Sequence, residues 1–263
     1  MPVNLLFIGD VIGRSGRHAL TRELHRLVDR YRADFVVVNG ENASGGFGIT
    51  ADTCKEFFEL GVHVITSGNH IWDKREILET LTREERLLRP ANYPPGVPGH
   101  GSTVVETSAG IAVAVLNLEG RVFMNNLDCP FRVADEEIER LRRQTPIILV
   151  DFHAEATSEK SSLGWYLDGR VSAVIGTHTH VQTADERILP EGTAYMTDAG
   201  MTGAFESVIG IRKDEAIQRF LTQLPNKFEV AKKDIRLNAV LVEVHEVTGK
   251  AIRIERISLG CSQ

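Results

Sequence analysis

Five short stretches of this 263-residue chain gather side chains that ligate transition metals: Gly9-Asp10, Asn39-Gly40-Glu41-Asn42, Gly68-Asn69-His70, Asp151-Phe152-His153 and Thr177-His178-Thr179-His180. Imidazole, carboxylate and amide oxygen together suit iron, manganese or zinc, whereas an oxygen-only set would suit magnesium or calcium. Six or seven such groups exceed what one ion takes. Two ions sharing a bridging carboxylate would use all of them. A pair of cations roughly 3.5–4 Å apart clamps the attacking and leaving oxygens of a displacement at phosphorus.

Each residue also has a structural explanation. A single Asp after a strand is commonly a cap or turn former, and Asn-Gly and Gly-Asn are ordinary turns. Isolated histidines are more often surface or satisfied core residues than ligands, so His18, His25, His63, His100 and His245 are read that way. His178 and His180 differ, because alternate residues of a regular strand share a face and would turn both imidazoles into one site.

What must position these residues is a layered α/β fold, since helical and strand-like patterns alternate along most of the chain. Residues 4–9 (NLLFIG) read as a buried strand, followed by a glycine-punctuated loop and an amphipathic helix with Leu20, Leu24, Leu27, Val28 and Tyr31 on one stripe. A second strand covers 35–38, a helix turns Cys54, Phe57, Phe58 and Leu60 inward, and a third strand covers 63–66. Segments 103–106 and 111–118 form a hairpin through Ser108, Ala109 and Gly110. A helix over 134–143 carries acids in its first turn and arginines in its last, as the helix dipole prefers. Strands at 147–152 and 172–176, a helix at 213–224 and a hairpin over 238–257 turning at Thr248-Gly249 complete the pattern. Hairpins among the interleaved elements predict mixed sheets. Each ligand-bearing stretch follows a predicted strand, and open α/β sheets build their sites at the carboxyl ends of strands, so the five loops are expected to meet in one crevice.

Bulk composition fits this picture. The chain is 42% hydrophobic and 25% charged with a formal net charge of -6. Those values describe a globular chain, read as one domain over residues 1–263, without the basic excess that long nucleic acid demands. No apolar run is long enough for a membrane span, and the N-terminus lacks a signal-peptide pattern. Cys54, Cys129 and Cys261 are an odd, scattered set, read as reduced thiols in a cytoplasmic protein. The C-terminal hairpin either finishes a sheet or is an edge through which a homo-oligomer pairs.

The motifs resemble those of the calcineurin-like metallophosphoesterases, whose pattern is GD-x-H, GD-x-x-D, GNH, a lone His, then GH-x-H. Here these read Gly9-Asp10, Gly40-Glu41-Asn42, Gly68-Asn69-His70, His153 and Thr177-His178-Thr179-His180. The flanking phrases GDVIGRSGR, NGENASGGFGIT, SGNHIWDK, DFHAEATSEK and GTHTHVQTADERILP are similar to the YmdB branch over essentially the whole chain. The resemblance implies a four-layer α-β-β-α sandwich of two mixed sheets. It implies two iron or manganese ions, with zinc as an alternative. Glu41 would bridge them, Asn69, His153 and His178 would complete one site, and Asp10 and His180 would serve the other.

His70 would stand just outside the metals as the catalytic group. Two departures from the wider pattern matter. Ile12 stands where GD-x-H places histidine, which makes Asn42 the candidate replacement ligand, and Glu41 stands where many relatives carry Asp. Asp73 is read as the first-turn acid of the following helix, with orientation of His70 as the alternative. The implied activity is hydrolysis of cyclic nucleotides or similar small phosphodiesters. The alternatives are a phosphomonoesterase or nucleotidase, and a metal-binding signalling protein with a weak centre. A nucleotide-binding module fits poorly, because Gly9, Gly13 and Gly16 miss the G-x-G-x-x-G spacing and no G-K-[ST] follows.

Overall fold

The computed structural model describes residues 2–261. Its elements, in chain order, are β1 (Pro2–Ile8), α1 (Gly13–Tyr31), β2 (Phe35–Asn39), α2 (Ala51–Glu59), β3 (Val64–Thr66) and α3 (Ile77–Arg83). Then come β4 (Ser102–Glu106), β5 (Ala112–Glu119), α4 (Pro130–Arg142), β6 (Ile148–His153), α5 (Thr157–Tyr166) and β7 (Ala173–Thr177). The last are β8 (Arg187–Ile188), β9 (Ala194–Met196), β10 (Gly203–Ala204), α6 (Lys213–Thr222), β11 (Ile235–His245) and β12 (Ala251–Gly260).

Two six-stranded sheets form, in the orders β10-β11-β1-β2-β3 with β12 against β11, and β4-β5-β6-β7-β9-β8. Both are mixed. In the first, β1, β2 and β3 are parallel while β11 runs antiparallel to β1. In the second, β5, β6, β7 and β9 are parallel, with β4 and β8 antiparallel at the edges. The period of two along β1 decides the layering. Leu6 and Ile8 face outward to pack under α1 and α2 with Leu20, Leu24 and Phe57. Leu5 and Phe7 face inward, meeting Val113, Val115, Leu149 and Ile175 of the second sheet. The outer face of that sheet is covered by Ile138 and Leu141 of α4 and Leu163 of α5. The result is helix, sheet, sheet, helix, as the resemblance implied.

Several elements differ from the sequence reading. The fourth helix starts at Pro130, with proline in its first turn, rather than at 134. Helix α5 and the short strands β8, β9 and β10 carry too little periodicity to announce themselves; α5 has glycine in its last turn and buries only Lys160, Leu163 and Gly164. The C-terminal hairpin is longer than expected, and β11 lies inside the first sheet, hydrogen-bonded to β1, which leaves β12 beyond it. Among the described residues, no helix is long and apolar enough to cross a membrane.

Candidate metal centre

The parallel strands of both sheets end on the same side, and a buried polar seam ties those ends together. Asp151 Oδ2 accepts hydrogen bonds from Asn39 Nδ2 at 3.0 Å and Thr66 Oγ1 at 2.5 Å, while Oδ1 accepts from Thr177 Oγ1 at 2.7 Å. The backbone N–H of Ser67 donates to Asn117 Oδ1 at 3.0 Å. These contacts join β2 and β3 to β5, β6 and β7, so the loops leaving the two sheets face one another. Asp151 and Asn39 were among the ligand-type residues of the sequence pattern, and here they form the support beneath the site. Close approach is built in as well. A Cβ on Gly68 would lie 2.1 Å from the His153 ring, which explains the glycine before Asn69-His70.

The donor atoms converge on His153 Nε2. Glu41 Oε2 lies 2.6 Å away, His178 Nδ1 3.0 Å and Asn69 Oδ1 3.2 Å. Glu41, His153 and His178 form the one His, Cys, Asp or Glu group among the described residues with metal-like spacing. Hydrogen bonds set the orientation of each ring. Thr177 gives its hydroxyl proton to Asp151, so His153 Nδ1–H donates to Thr177 Oγ1 at 3.0 Å and Nε2 is left facing the centre. His178 Nε2 lies 3.1 Å from Glu155 Oε2, which directs its Nδ1 lone pair inward. His180 Nδ1 donates to the Ile209 carbonyl at 2.8 Å, which leaves its Nε2 free.

The charges are arranged for a cation. Burial opposes ionisation of both Glu41 and His153, yet their mutual attraction wins: the Glu41 carboxyl falls to about 2 and the His153 imidazole rises to about 9. Asp10 and Asp151 also raise His153. Without a metal, a proton on His153 thus supplies the positive charge that the surrounding carboxylates require. Burial, followed by the charge on His153, holds His178 down at about 3, so that imidazole is neutral and its lone pair is available.

Two further oxygens test whether the residues fit a second cation. Asp10 Oδ1 and Asn42 Oδ1 are both buried and have no hydrogen-bond partner. Leaving such an atom unpaired costs about 1–3 kcal/mol, and more for a charged group. Burial lifts the Asp10 carboxyl well above its usual value, with Asp198 and Glu41 adding to the effect against His153. Asn42 Nδ2 donates to the Gly46 carbonyl at 3.0 Å, which turns the amide oxygen the other way. Oxygen donors left unpaired in this way are the kind that a cation satisfies, so the chemistry of Asp10 and Asn42 fits a metal ligand set. Ile12 is buried and lines the cleft, in keeping with the loss of a ligand at that position.

The strand geometry assumed for His178 and His180 is not what brings them together. β7 ends at Thr177, and both histidines adopt left-handed backbone conformations, with φ of 97° and 65°. Non-glycine residues rarely adopt this region. Thr179 between them is held through its N–H and hydroxyl to Asp198 Oδ2, at 3.1 and 2.8 Å, and Asp198 is paired with buried Lys160 at 2.7 Å. Nothing in the local sequence pointed to Lys160 or Asp198.

His70 stands beside this set, its backbone N–H donating to Glu41 Oε1 at 2.7 Å. Its Nδ1 is 2.9 Å from Asp73 Oδ2, and α3 begins only at Ile77. Asp73 therefore orients His70 and is not a first-turn acid, a correction that follows from the turn over 70–73. Glu155 and Glu119 were also missed. Glu119 lies beside His153 in the register of β5 and β6, fully buried near the Tyr93 and Asn125 side chains, and burial raises it to about 7. A cleft of about 350 Å³ opens over Glu41, Asn42, His70, His178 and His180.

Comparison with known proteins agrees with this geometry. A family model described as YmdB-like protein matches residues 6–257. The chain is 49% identical to the 2',3'-cyclic-nucleotide 2'-phosphodiesterase of Bacillus subtilis (strain 168), over 98% of this chain and 97% of that protein. A crystal structure of a hypothetical protein from Thermus thermophilus superposes with a TM-score of 0.91 at 42% identity, covering 98% of this chain and 99% of the other. A Mycoplasma pneumoniae protein described as a novel phosphatase gives 0.92 at 37% identity, covering 99% and 94%. With motifs, two-sheet fold and whole-length similarity in agreement, the chain belongs to the YmdB-like family.

Proposed function

We propose that the chain is a two-metal phosphodiesterase that hydrolyses 2',3'-cyclic nucleotides or similar small phosphodiesters. The observation that carries this reading is the convergence of Glu41, Asn69 and His178 on His153 Nε2 beside two orphaned buried oxygens, Asp10 Oδ1 and Asn42 Oδ1. Glu41, Asn69, His153 and His178 would hold one ion; Asp10, Asn42 and His180, with Glu41 shared, would hold the other. When bound, iron, manganese or zinc at these positions supplies neutralisation of phosphate charge and activation of water near neutral pH.

The chain's own residues do the rest. Thr177 and Asp151 keep His153 in the tautomer that presents Nε2, and Ile209 does the same for His180. His70, aligned by Asp73, holds a proton on the side of the leaving oxygen and delivers it as the ester bond breaks. The B. subtilis relative's name supports the cyclic-nucleotide assignment. Cytoplasmic residence fits three cysteines that are all free. No stable grip on long nucleic acid is expected from a net charge of -6.

The test is metal content of freshly purified protein together with manganese-dependent turnover of 2',3'-cyclic AMP. About two metals per chain, with turnover lost in Asn69→Ala and His178→Ala, is the expected result. Turnover that ignores both metal and these substitutions would overturn the proposal. Hydrolysis of 3'-AMP but not of the cyclic diester would transfer the assignment to a phosphomonoesterase.

A further inference from the structure

We propose that the apolar wall of the metal cleft, built by Phe47, Ile209, Ile211 and Phe228, is a nucleobase subsite that makes the enzyme select nucleoside-bearing diesters over small alkyl or sugar diesters. The inference rests on the phosphodiesterase reading above and names the part of the substrate that lies away from phosphorus.

Three observations lead to it. First, the wall is part of the reaction cleft itself: the same cavity of about 350 Å³ is lined by Glu41, His70, His178 and these four residues. That volume is on the scale of a small-ligand pocket, roughly 300–1,000 Å³, whereas a bare phosphate would leave most of it empty. Second, the aromatic surface begins at the leaving-group side. Phe47 packs edge-to-face on His70, with ring centroids 5.1 Å apart. It is carried between Gly46 and Gly48, whose φ values of 93° and 72° only glycine adopts readily. This turn presents a large, partly buried ring beside the group that protonates the departing oxygen.

Third, the charge pattern excludes other occupants. Among the described residues lining the cleft there is no lysine or arginine, and its charged members besides the histidines are Glu41 and Glu155. A second phosphate, as in a nucleoside polyphosphate, would meet Glu155 without a cationic partner. A neutral aromatic group instead covers the apolar surface and leaves the phosphodiester to the metals. Phe228 is 36% exposed and Ile209 51% exposed, so this wall is open to a ligand. Every base has a π-face, so stacking on such residues contributes roughly five- to 150-fold in affinity per base while tolerating different bases.

The experiment compares kcat/KM of the manganese-loaded enzyme for 2',3'-cyclic AMP and for methyl riboside 2',3'-cyclic phosphate, which presents the same cyclic diester without a base. The wild type is expected to favour the nucleotide by about tenfold or more. Phe47→Ala and Phe228→Ala should each move that ratio toward one, chiefly through KM, and Phe47→Trp should restore it. Equal kcat/KM for the two substrates in the wild type would overturn the subsite while leaving the phosphodiesterase reading intact. So would a Phe47→Ala enzyme slowed equally on both substrates, which would make Phe47 a mere support for His70. If neither cyclic diester is hydrolysed, the phosphodiesterase reading falls. Calorimetric affinities for 3'-AMP and ribose 3-phosphate then decide the subsite, with equal affinities counting against it.

Discussion

The floor and the wall of the cleft are built on opposite principles. On the floor, Asp10, Glu41 and His153 are buried almost completely, and each ring nitrogen that faces the centre is aimed by a hydrogen bond on its far side. Most of the wall comes from an excursion over 205–230 between β10 and β11, with Phe47 added from the loop between β2 and α2. Helix α6 of that excursion buries only Ala216, while Ile217, Phe220, Leu221 and Leu224 stay exposed. The floor has to hold like charges together in a low-dielectric place, and only an over-determined network does that. The wall has to cover a flat apolar group and release it, which calls for surface and asks little of alignment.

The largest effect should come from attacking the floor directly. His178→Ala removes one of the nitrogens converging on the centre, and turnover should fall by about 10³-fold or more together with metal content. Metal analysis and steady-state kinetics on one preparation check both. His70→Asn should lower kcat by roughly 10²–10⁴-fold, as loss of a general acid does, without changing metal content. A parallel loss of metal would place His70 among the ligands.

One step back from the floor, Thr177→Val deletes the hydroxyl between His153 and Asp151. Metal affinity should weaken by about 10–100-fold while the donor atoms themselves remain. Titration with manganese, followed by calorimetry, measures it, and unchanged affinity would show that the tautomer is set elsewhere.

Acidity gives a subtler probe, in the presence of a chelator. His153 is raised to about 9 in the folded protein from 6.5, so its contribution is complete below pH 6.5 and disappears as pH rises from 6.5 to 9. Burial raises Asp151 to about 6 and Glu119 to about 7, above their ordinary values of 3.8 and 4.5, and stability from them is likewise lost as pH rises through those values. His178, lowered from 6.5 to about 3, acts in the opposite sense: its contribution is present above pH 6.5 and lost as pH falls toward 3. Glu41, lowered to about 2 from 4.5, also loses its contribution as pH falls below 4.5. Below pH 4.5 the gains from Glu41 and His178 outweigh the loss from Asp151, and above it the losses from Asp151, Glu119 and then His153 prevail, so the metal-free protein should be most stable near pH 4.5. Its melting temperature should fall toward pH 9, and His153→Gln should flatten that alkaline limb. The smallest effect belongs to the wall's outer surface, where Phe220→Ser at a 76% exposed position should change stability by no more than ~0.5 kcal/mol and leave metal content intact.

The amino-acid sequence by itself determined where the reactive side chains sit along the chain. Runs such as NLLFIG and IILVDF must be buried strands. Chemistry-bearing residues directly after them are therefore expected at one end of the sheets, which is why Asp10, Glu41, Asn42, Asn69, His70, His153, His178 and His180 could be named as candidates.

Only the tertiary structure decided what orients those residues. Asn39 meets Asp151 across 112 positions, Lys160 meets Asp198 across 38, and Glu119 lies beside His153 only because β5 and β6 are register partners. Such pairings leave no local period or motif, since a hydrogen bond between distant residues constrains neither one's neighbours. The backbone of His178 and His180 shows the same limit: alternation predicted an extended segment, whereas the clamp from Asp198 to Thr179 accompanies two left-handed histidines. Local patterns report what a residue must bury, and the folded chain alone reports what that residue touches.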